Sequence, residues 1–378
     1  MSEQVNIAII AGQLVVGGAE RQLYLWLSNL DREKFNPIVL TLHPGHNDYW
    51  EKPVEDLGIP LFRVARRGNR LVRFFDILKV IKPHSPQLIH GWHLFSSPYA
   101  GLAAKWIGAK SLGGIRSNYQ LSSSSLESKL TMMLCDGVVV NSKTSYQLLQ
   151  KARKQKKPRL YVVQNALEVQ FHEREKTRAY LTGEYQIPGN AIWIGSMGRM
   201  YPSKRFDLLL QVLSLVKKDF HNFHVILIGD GPERGNLEDL AKTLSLAENI
   251  TFTGEVPNAS RWLKAFDIFA FTSVTEGLPN VIMEAAAAGL PVVAWKLPFI
   301  EEVVADERSA LLVECGNIKG MKAVIEKLIN SPGLYTRLSK AAEEHTRSTF
   351  SLENYIKNMS AVYESLLLSS NKSGIYTK

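Results

Sequence analysis

The segment IFAFTSVTEGLPNVIMEAAAAGLPVVAW (residues 268–295) predicts a strand, a loop, a helix and a second strand in direct succession. The apolar runs Ile268–Phe271 and Val292–Trp295 are typical of short buried strands. Between them, Val281–Ala288 predicts a helix, with Pro279 suited to its first turn and a Gly-Leu-Pro sequence that ends it. A strand, a helix and another strand form the unit from which parallel sheets are built.

The same alternation continues along the whole chain. In the first half, strands are predicted at Val5–Ile10, Pro37–Leu42, Leu61–Val64, Leu88–Trp92, Ser111–Arg116, Val138–Asn141 and Leu160–Val163. In the second half, further strands are predicted at Ala191–Ser196, His224–Ile228, Ile250–Phe252 and Ala310–Val313. Helical patterns lie between them, so the sequence predicts an α/β fold with two doubly wound parallel-sheet domains. Ligands of such sheets bind beyond the carboxyl ends of the strands.

Two carboxylates flank the loop-to-helix junction of the opening segment. Glu276 lies just before the predicted helix, and Glu284 lies about one turn inside it. A helix N-terminus attracts phosphate, because its unpaired N–H groups and its dipole favour negative charge. Carboxylates accept hydrogen bonds from paired sugar hydroxyls. The segment therefore predicts a binding site for a sugar nucleotide.

Two other strand-to-helix loops have residues suited to phosphate. Gly17 and Gly18 open the first long helix, where glycine lets the backbone approach a ligand closely, although a plain tight turn explains them equally well. The dinucleotide fingerprint G-x-G-x-x-G is absent there, which argues against NAD. Arg199 and Lys204 place two cations in one loop, where they either clamp a diphosphate leaving group or remain solvated charges.

Two further features at strand ends have structural alternatives. The sequence GDGP at residues 229–232 predicts a tight turn, with Asp230 capping the helix that follows. His90 and His93 end the fourth strand, where a side chain could face the ligand crevice. They predict contact with the transferred sugar or the acceptor, and the alternative is a structural histidine.

Composition and charge narrow the class of protein. The chain has 378 residues, 45% hydrophobic content and a net charge of +9. Residues 1–165 hold 22 Lys and Arg against 11 Asp and Glu, so this half has all the excess positive charge. An anionic partner is expected there: membrane headgroups, a phosphorylated acceptor or nucleic acid. Two cysteines, no signal-peptide pattern and no membrane-spanning apolar run predict a cytoplasmic protein.

A basic segment between Arg63 and Lys82 is the strongest candidate for an anionic contact. An apolar helical stripe lies within it: Leu71, Phe74, Phe75, Leu78 and Ile81. A basic helix with aromatic residues could lie on an anionic bilayer, and the favoured alternative is that the stripe packs on the sheet. The flanking cations are predicted to contact an acceptor or a membrane surface, and the candidates are Arg66, Arg67, Arg70, Arg73 and, further along, Arg116. No Asp-x-Asp triplet and no zinc spacing occur, so no metal cofactor is expected.

These motifs together resemble the retaining family 4 glycosyltransferases of the GT-B fold, nearly end to end. The matching sequences are GGAER (17–21), VVQN (162–165), GR with Lys204 (198–204), LIGDGP (227–232), TGEV (253–256) and the E-x7-E segment (276–284). The resemblance implies two Rossmann-like domains facing across a cleft. Residues 1–168 would bind the acceptor, with 352–378 crossing back as a C-terminal helix, and residues 169–351 would bind the donor.

The resemblance also implies roles for single residues. Arg199 and Lys204 would hold the donor diphosphate, Glu284 the ribose and Glu276 the transferred sugar, so that Glu276, Arg199, Lys204 and His93 form the catalytic set. Other donor contacts would come from Gly17, Gly18, Gly198, Gly254, Val256, Gly277 and Leu278. The family often has His-x-His at the fourth strand, but Trp92 occupies the second position here and His93 is displaced by one.

The sequence therefore predicts a metal-independent, retaining transferase without a cofactor. It would move a hexose or N-acetylhexosamine from a nucleotide diphosphate sugar, with UDP favoured over GDP, to a hydroxyl of a cell-envelope glycan or lipid-linked acceptor. The enzyme would be cytoplasmic or peripheral on the inner face of the membrane, and would not bind nucleic acid. A sugar-nucleotide epimerase or hydrolase on the same fold is one alternative, and a non-catalytic module that binds nucleic acid through its basic surface is the other.

Overall fold

The computed structural model describes residues 4–43, 48–64, 69–116, 124–153 and 157–368. The chain divides into two compact units, one formed by Met1–Ala166 with Leu352–Lys378 and the other by Leu167–Ser351. We call them unit 1 and unit 2. Among the described residues, no helix is long and apolar enough to cross a membrane.

Unit 1 contains a seven-stranded parallel sheet with the order β3-β2-β1-β4-β5-β6-β7. Its strands are β1 (Val5–Ala11), β2 (Phe35–Thr41), β3 (Leu61–Arg63), β4 (Leu88–Gly91), β5 (Lys110–Ile115), β6 (Gly137–Val140) and β7 (Arg159–Val162). Its helices are α1 (Gly18–Ser28), α2 (Glu51–Asp56), α3 (Arg70–Ile81), α4 (Ser97–Ile107), α5 (Leu126–Leu134), α6 (Lys143–Ala152) and α14 (Leu352–Leu368).

Alternate residues of the central strands face the two sides of this sheet. Ile7 and Ile9 of β1 pack with α1 and with Tyr363 of α14. Ala8 and Ile10 pack on the opposite side, against α3 and α4. Both sides of β1 are thus apolar and buried, as expected for a parallel sheet covered by helices on both faces.

Unit 2 contains a six-stranded parallel sheet with the order β10-β9-β8-β11-β12-β13. Its strands are β8 (Ile192–Met197), β9 (Phe223–Ile228), β10 (Ile250–Gly254), β11 (Ile268–Phe271), β12 (Val292–Trp295) and β13 (Ala310–Val313). Its helices are α7 (Arg174–Tyr185), α8 (Phe206–Asp219), α9 (Arg234–Thr243), α10 (Asn280–Ala287), α11 (Pro298–Glu301), α12 (Ile318–Ile329) and α13 (Pro332–Thr349). Separate apolar clusters bury the two faces of the sheet.

The predicted fold class is confirmed, and each predicted strand is present with ends that differ by no more than two residues. One helix start was misplaced, because Pro279 is the N-cap of α10 and lies outside its first turn. A larger error concerns α3. Leu78 and Ile81 are buried as predicted, but Leu71 and Phe75 are 65% and 56% exposed. Of the predicted stripe, Phe74, Leu78 and Ile81 therefore pack toward the sheet, whereas Leu71 and Phe75 face outward.

Candidate active site

Two loops at the carboxyl ends of neighbouring strands in unit 2 are joined by hydrogen bonds. One follows β8 and ends in a short 3-10 helix, Pro202–Lys204, and the other follows β11. The Thr272 hydroxyl donates to the Lys204 carbonyl at 3.0 Å, and the Val274 N–H donates to the Ser203 carbonyl at 3.0 Å. Because β8 and β11 are adjacent in the sheet, residues far apart in sequence meet at this edge.

The side chains of Lys204 and Glu276 form an ion pair across these two loops. They are 21% and 18% exposed, respectively, so the pair is partly shielded but accessible from solvent. An ammonium group has three donors, so one contact with Glu276 leaves others for a ligand oxygen. The structure therefore brings together a cation and a carboxylate that the sequence placed in separate motifs.

The backbone that follows β8 packs closely against the backbone that follows β9. The Gly198 N–H donates to the Ile228 carbonyl at 2.9 Å, and the Met200 N–H donates to the Asp230 carbonyl at 2.8 Å. Gly229 has a φ of +136°, and a Cβ there would lie 2.1 Å from the Gly198 carbonyl oxygen. The GDGP turn thus fixes the loop that holds exposed Arg199.

Asp230 does not cap the following helix, contrary to the prediction. The N-cap of α9 is Glu233. The Asp230 carboxylate instead accepts from the Gly231 N–H at 2.7 Å and pairs with Arg234 at 2.9 Å. These two contacts lower the pKa of Asp230, the backbone hydrogen bond being the larger cause. Its role in the described structure is to stiffen the turn.

Helix α10 presents the second glutamate of the E-x7-E segment. Glu284 lies one turn inside the helix and is 6% exposed, whereas Glu276 lies before the helix at the more accessible edge. Gly277 and Leu278 are buried just before the helix start, and Leu278 packs in the apolar cluster below it. The carboxylates thus occupy different environments, one near solvent and one in the protein interior.

Two predicted donor contacts lie on the loop after β10. Gly254 ends that strand with a φ of +75°, and its carbonyl accepts from the Gly229 N–H at 2.9 Å. Val256 is partly buried against the unit 2 core. Gly229, which also lies against Gly198, therefore links the loops after β8, β9 and β10.

In unit 1, His93 has a hydrogen bond at Nδ1 and lies close to a carboxylate at Nε2. The Gly12 N–H donates to Nδ1 at 3.3 Å, so the proton of the neutral ring lies on Nε2. That Nε2 lies 3.2 Å from a carboxylate oxygen of Glu20, in the first turn of α1. Phe95 stacks on the ring with centroids 5.6 Å apart. A direct contact between His93 Nε2 and a sugar would require the Glu20 contact to open.

His90 lies in the core of unit 1, as the structural alternative predicts. It is fully buried, and its Nδ1 lies 2.8 Å from the Tyr363 hydroxyl of α14. Burial, with Arg116 and His93 nearby, holds the pKa of His90 well below its usual value of 6.5. The ring is therefore neutral and fixed in the core at neutral pH.

Arg116, a predicted acceptor or membrane contact, packs against an aromatic ring in unit 1. Its guanidinium lies 3.6 Å from the centre of the Trp92 ring, and burial lowers its pKa. Trp92 is itself fully buried, and its Nε1–H donates to the Ala19 carbonyl at 2.9 Å. Arg116 is therefore close to the start of α1, where Gly17 is the N-cap and Gly18 the first residue.

Of the other basic candidates, Arg70 begins α3 and pairs with Glu127 at 3.6 Å, and Arg73 contacts His43 at 3.3 Å. Arg66 and Arg67 lie outside the described residues. The sequence reasoning gave no role to Glu20, although its place in the first turn of a glycine-opened helix was a usable signal. Thr272 lies in a loop that was predicted to be functional, directly after β11, but it was given no role of its own.

Two family models match the chain, and a curated relative matches most of it. One model, described as Glycosyltransferase Family 4, matches residues 16–171, and another, described as Glycosyl transferases group 1, matches residues 181–345. The lipopolysaccharide core biosynthesis glycosyltransferase LpsD of Rhizobium meliloti (strain 1021) is 29% identical over 89% of this chain and 91% of its own length. The protein is a glycosyltransferase.

Solved structures show which fold this glycosyltransferase has. Anabaena Alr3699/HepE in complex with UDP and glucose is similar with a TM-score of 0.85 and 19% identity, covering 96% of this chain and 100% of that chain. The apo form of the lipopolysaccharide outer core galactosyltransferase WaaB has a TM-score of 0.71 and 17% identity, with 96% and 100% coverage. The glycosyltransferase has the GT-B fold, as predicted.

Proposed function

We propose that this glycosyltransferase is a retaining enzyme that moves a hexose or N-acetylhexosamine from a UDP-sugar to a hydroxyl of a cell-envelope glycan or lipid-linked acceptor. The observation that carries the proposal is the ion pair between Lys204 and Glu276 at the carboxyl edge of the unit 2 sheet. A fixed cation beside a carboxylate suits a ligand that has a diphosphate next to a sugar.

The donor contacts follow from the positions of these side chains. Arg199 and Lys204 neutralise the diphosphate, Glu276 binds hydroxyls of the transferred sugar, and Glu284 binds the ribose. Glycine positions let the backbone approach the donor closely, and we assign this contact to Gly17, Gly18, Gly198, Gly254 and Gly277, with Val256 and Leu278 beside them.

The reaction exchanges one bond at the anomeric carbon for another on the same face of the sugar. The bond from that carbon to the diphosphate oxygen breaks, and the acceptor oxygen forms a new bond to it. The acceptor proton passes to the departing phosphate oxygen. Arg199 and Lys204 stabilise the negative charge that develops on the diphosphate, which is usually a large part of catalysis.

Because Arg199 and Lys204 would neutralise the diphosphate, we propose that the transfer needs no metal ion. The measurement is turnover in the presence of EDTA, which we expect to remain at its level without chelator. Loss of turnover with recovery on addition of Mg²⁺ or Mn²⁺ would contradict this part of the proposal.

The identities of donor and acceptor are supported by the relatives. UDP is bound in the similar Anabaena structure, and the Rhizobium relative is named for lipopolysaccharide core biosynthesis. The excess of basic residues in positions 1–165 supports an acceptor bound by unit 1 at the inner face of a membrane. We assign acceptor contacts to Arg70 and Arg73, and include Arg66 and Arg67 from the sequence. Arg116 packs against the buried Trp92 and is left out of this set.

The deciding experiment compares UDP- and GDP-sugars by thermal shift and then by turnover. A donor at 100 times its Kd raises the free energy of unfolding by about 2.7 kcal/mol. We expect UDP-sugars to give the larger shift, and product formation to require an acceptor. Conversion of the UDP-sugar at full rate without acceptor would instead indicate an epimerase or hydrolase.

A further inference from the structure

Three helices of unit 1 expose large apolar side chains on their outer surfaces. The most exposed are Leu71 at 65%, Phe75 at 56%, Trp106 at 65% and Met133 at 66%. Three others are between 40% and 53% exposed: Val72, Leu102 and Leu126. We call these seven residues of α3, α4 and α5 the apolar face. A monomeric soluble protein rarely exposes so many large apolar groups together, and such patches mark interaction surfaces.

The three helices lie side by side, so the exposed groups form one surface. The rings of Phe75 and Trp106 have centroids 6.4 Å apart and are nearly perpendicular, which joins α3 to α4. A Cβ at Gly101 of α4 would lie 2.8 Å from Leu134 Cβ, so α4 and α5 pack closely. The Arg70–Glu127 ion pair joins α3 to α5.

The apolar face is not part of the core that these helices complete. The inner side of α3 buries Ile77, Leu78 and Ile81 against the sheet, and the inner side of α4 buries Ala100 and Ala103. The core on this side is thus filled by other residues of the same helices. Within the described part of the chain, the outer apolar residues remain largely exposed to water, which is unfavourable for apolar surface.

The charges around the apolar face are mainly positive. Helices α3, α4 and α5 contain five cations against two carboxylates, Asp76 and Glu127. The cations are Arg70, Arg73, Lys79, Lys105 and Lys129, and Lys79, Lys105 and Lys129 are exposed. On α5, Leu126, Lys129 and Met133 share one side of the helix at helical spacing. Apolar and aromatic groups edged by lysine and arginine match an anionic lipid surface.

We propose that the apolar face docks unit 1 on an anionic phospholipid bilayer, with Phe75 and Trp106 inserted at the headgroup level and Lys79, Lys105 and Lys129 paired with lipid phosphates. Docking would hold the enzyme where a lipid-linked acceptor lies. Only this purpose of the docking surface rests on the proposed function. The sequence alone left open whether the helix at residues 71–81 lies on a bilayer or packs on the sheet, and it favoured the sheet. The structure exposes Leu71 and Phe75 beside residues of α4 and α5.

A second copy of this chain is the other occupant to consider. A symmetric pair of copies would place the same positive patch on both sides of the contact, and like charges across an interface are unfavourable. Phospholipid headgroups such as phosphatidylglycerol instead neutralise the cations. The charges of α3, α4 and α5 therefore favour lipid over self-association.

The test is flotation of the full-length protein with vesicles of phosphatidylcholine alone or mixed with phosphatidylglycerol, at low and high salt. The apolar variant is Trp106→Ser, and its control is Tyr180→Ser, an aromatic residue of unit 2 that is 51% exposed. The charge variant is Lys105→Glu with Lys129→Glu. Its control is Lys242→Glu with Lys340→Glu in unit 2, where both side chains are at least 69% exposed.

We expect the unaltered protein to float with the anionic vesicles and to be released by salt. Trp106→Ser should lower the partition coefficient about tenfold, because a buried aromatic side chain contributes most to interfacial binding. The charge variant should lower it by about fivefold or more for each basic residue removed. Both controls should float like the unaltered protein.

Three results would overturn the inference. They are equal flotation of all variants, no flotation of the unaltered protein, or a dimer in light scattering that Trp106→Ser dissociates while vesicle binding is absent. The variants lie outside the donor site, so their thermal shift with UDP-sugars should equal that of the unaltered protein. A protein that floats normally but neither binds nor converts UDP-sugars would refute the proposed function alone.

Discussion

Lys204 and Glu276 form an ion pair although 72 positions separate them in the sequence. The contact exists because β8 and β11 are neighbours in the sheet, which brings the loops at their carboxyl ends together. Hydrogen bonds from Thr272 and Val274 to the β8 loop hold the two backbones at a fixed distance. In the proposed donor site, this pair supplies a cation and a carboxylate on one edge of the sheet.

Replacement of Glu276 by Gln should lower kcat/KM by roughly 10²-fold or more, because the transferred sugar loses its charged acceptor and Lys204 loses its partner. Thermal stability should change little, because an accessible ion pair contributes about 0–1 kcal/mol. Arg199→Ala should have a comparable effect on turnover. Near-normal turnover in both variants, measured with a UDP-sugar that binds, would be incompatible with the site assignment.

Gly229→Ala should destabilise unit 2 and reduce turnover together. An alanine at this position would have an unfavourable φ of +136°. Its Cβ would lie 2.1 Å from the Gly198 carbonyl oxygen, so the Arg199 loop would have to move. We expect a loss on the order of 3 kcal/mol, or a Tm lower by about 6 to 12 °C. The matched control is Gly235→Ala in α9, where a Cβ meets nothing within 4 Å. That change should raise stability by about 0.5 kcal/mol, and equal effects at both glycines would contradict the prediction.

Glu20 and His93 should behave as one unit in kinetics. Because Glu20 lies 3.2 Å from His93 Nε2, removal of either side chain releases the other. Glu20→Ala and His93→Ala should each lower turnover by roughly tenfold, and the double variant should be no slower than either. Glu20→Gln, which keeps an oxygen for the ring N–H, should recover most of the activity. Additive losses in the double variant would show that the two residues act separately.

Acidification should destabilise the protein partly through His224 of β9. This side chain is 6% exposed, its Nε2 lies 2.8 Å from the Thr251 hydroxyl, and burial lowers its pKa from 6.5 to about 4. Between these values the unfolded chain binds a proton that the folded protein does not, so stability falls as pH falls. The loss from pH 7 to pH 5 is about 2 kcal/mol.

His224→Gln removes this titration while keeping a polar partner for Thr251. The free energy of unfolding in urea should therefore fall less between pH 7 and pH 5 for the variant than for the unaltered protein. His90, also buried with a lowered pKa, contributes in the same direction and is present in both proteins. An identical loss in the two proteins would show that His224 is not responsible.

The fold was predictable because its signals are local. A buried parallel strand such as Ile268–Phe271 is a continuous apolar run, and the glycine and proline residues that end elements lie beside them in sequence. The loops that form the candidate site follow directly from the strand ends. The N-cap of α9 was harder to predict. The Asp230 carboxylate has other local partners, because it accepts hydrogen bonds from the Gly231 N–H and from Arg234.

The sequence by itself determined the alternation of strands and helices, the identity of the charged loops and the excess of basic residues in one half. Only the tertiary structure decided which side chains meet: Lys204 with Glu276, Glu20 with His93, and Arg116 with the buried Trp92. It also decided that Phe75 faces outward beside Trp106 while Ile77 is buried. The helical period of α3 shows which residues share a side of the helix, but its apolar residues lie on more than one side. Which of them are covered depends on helices and strands that are remote in sequence.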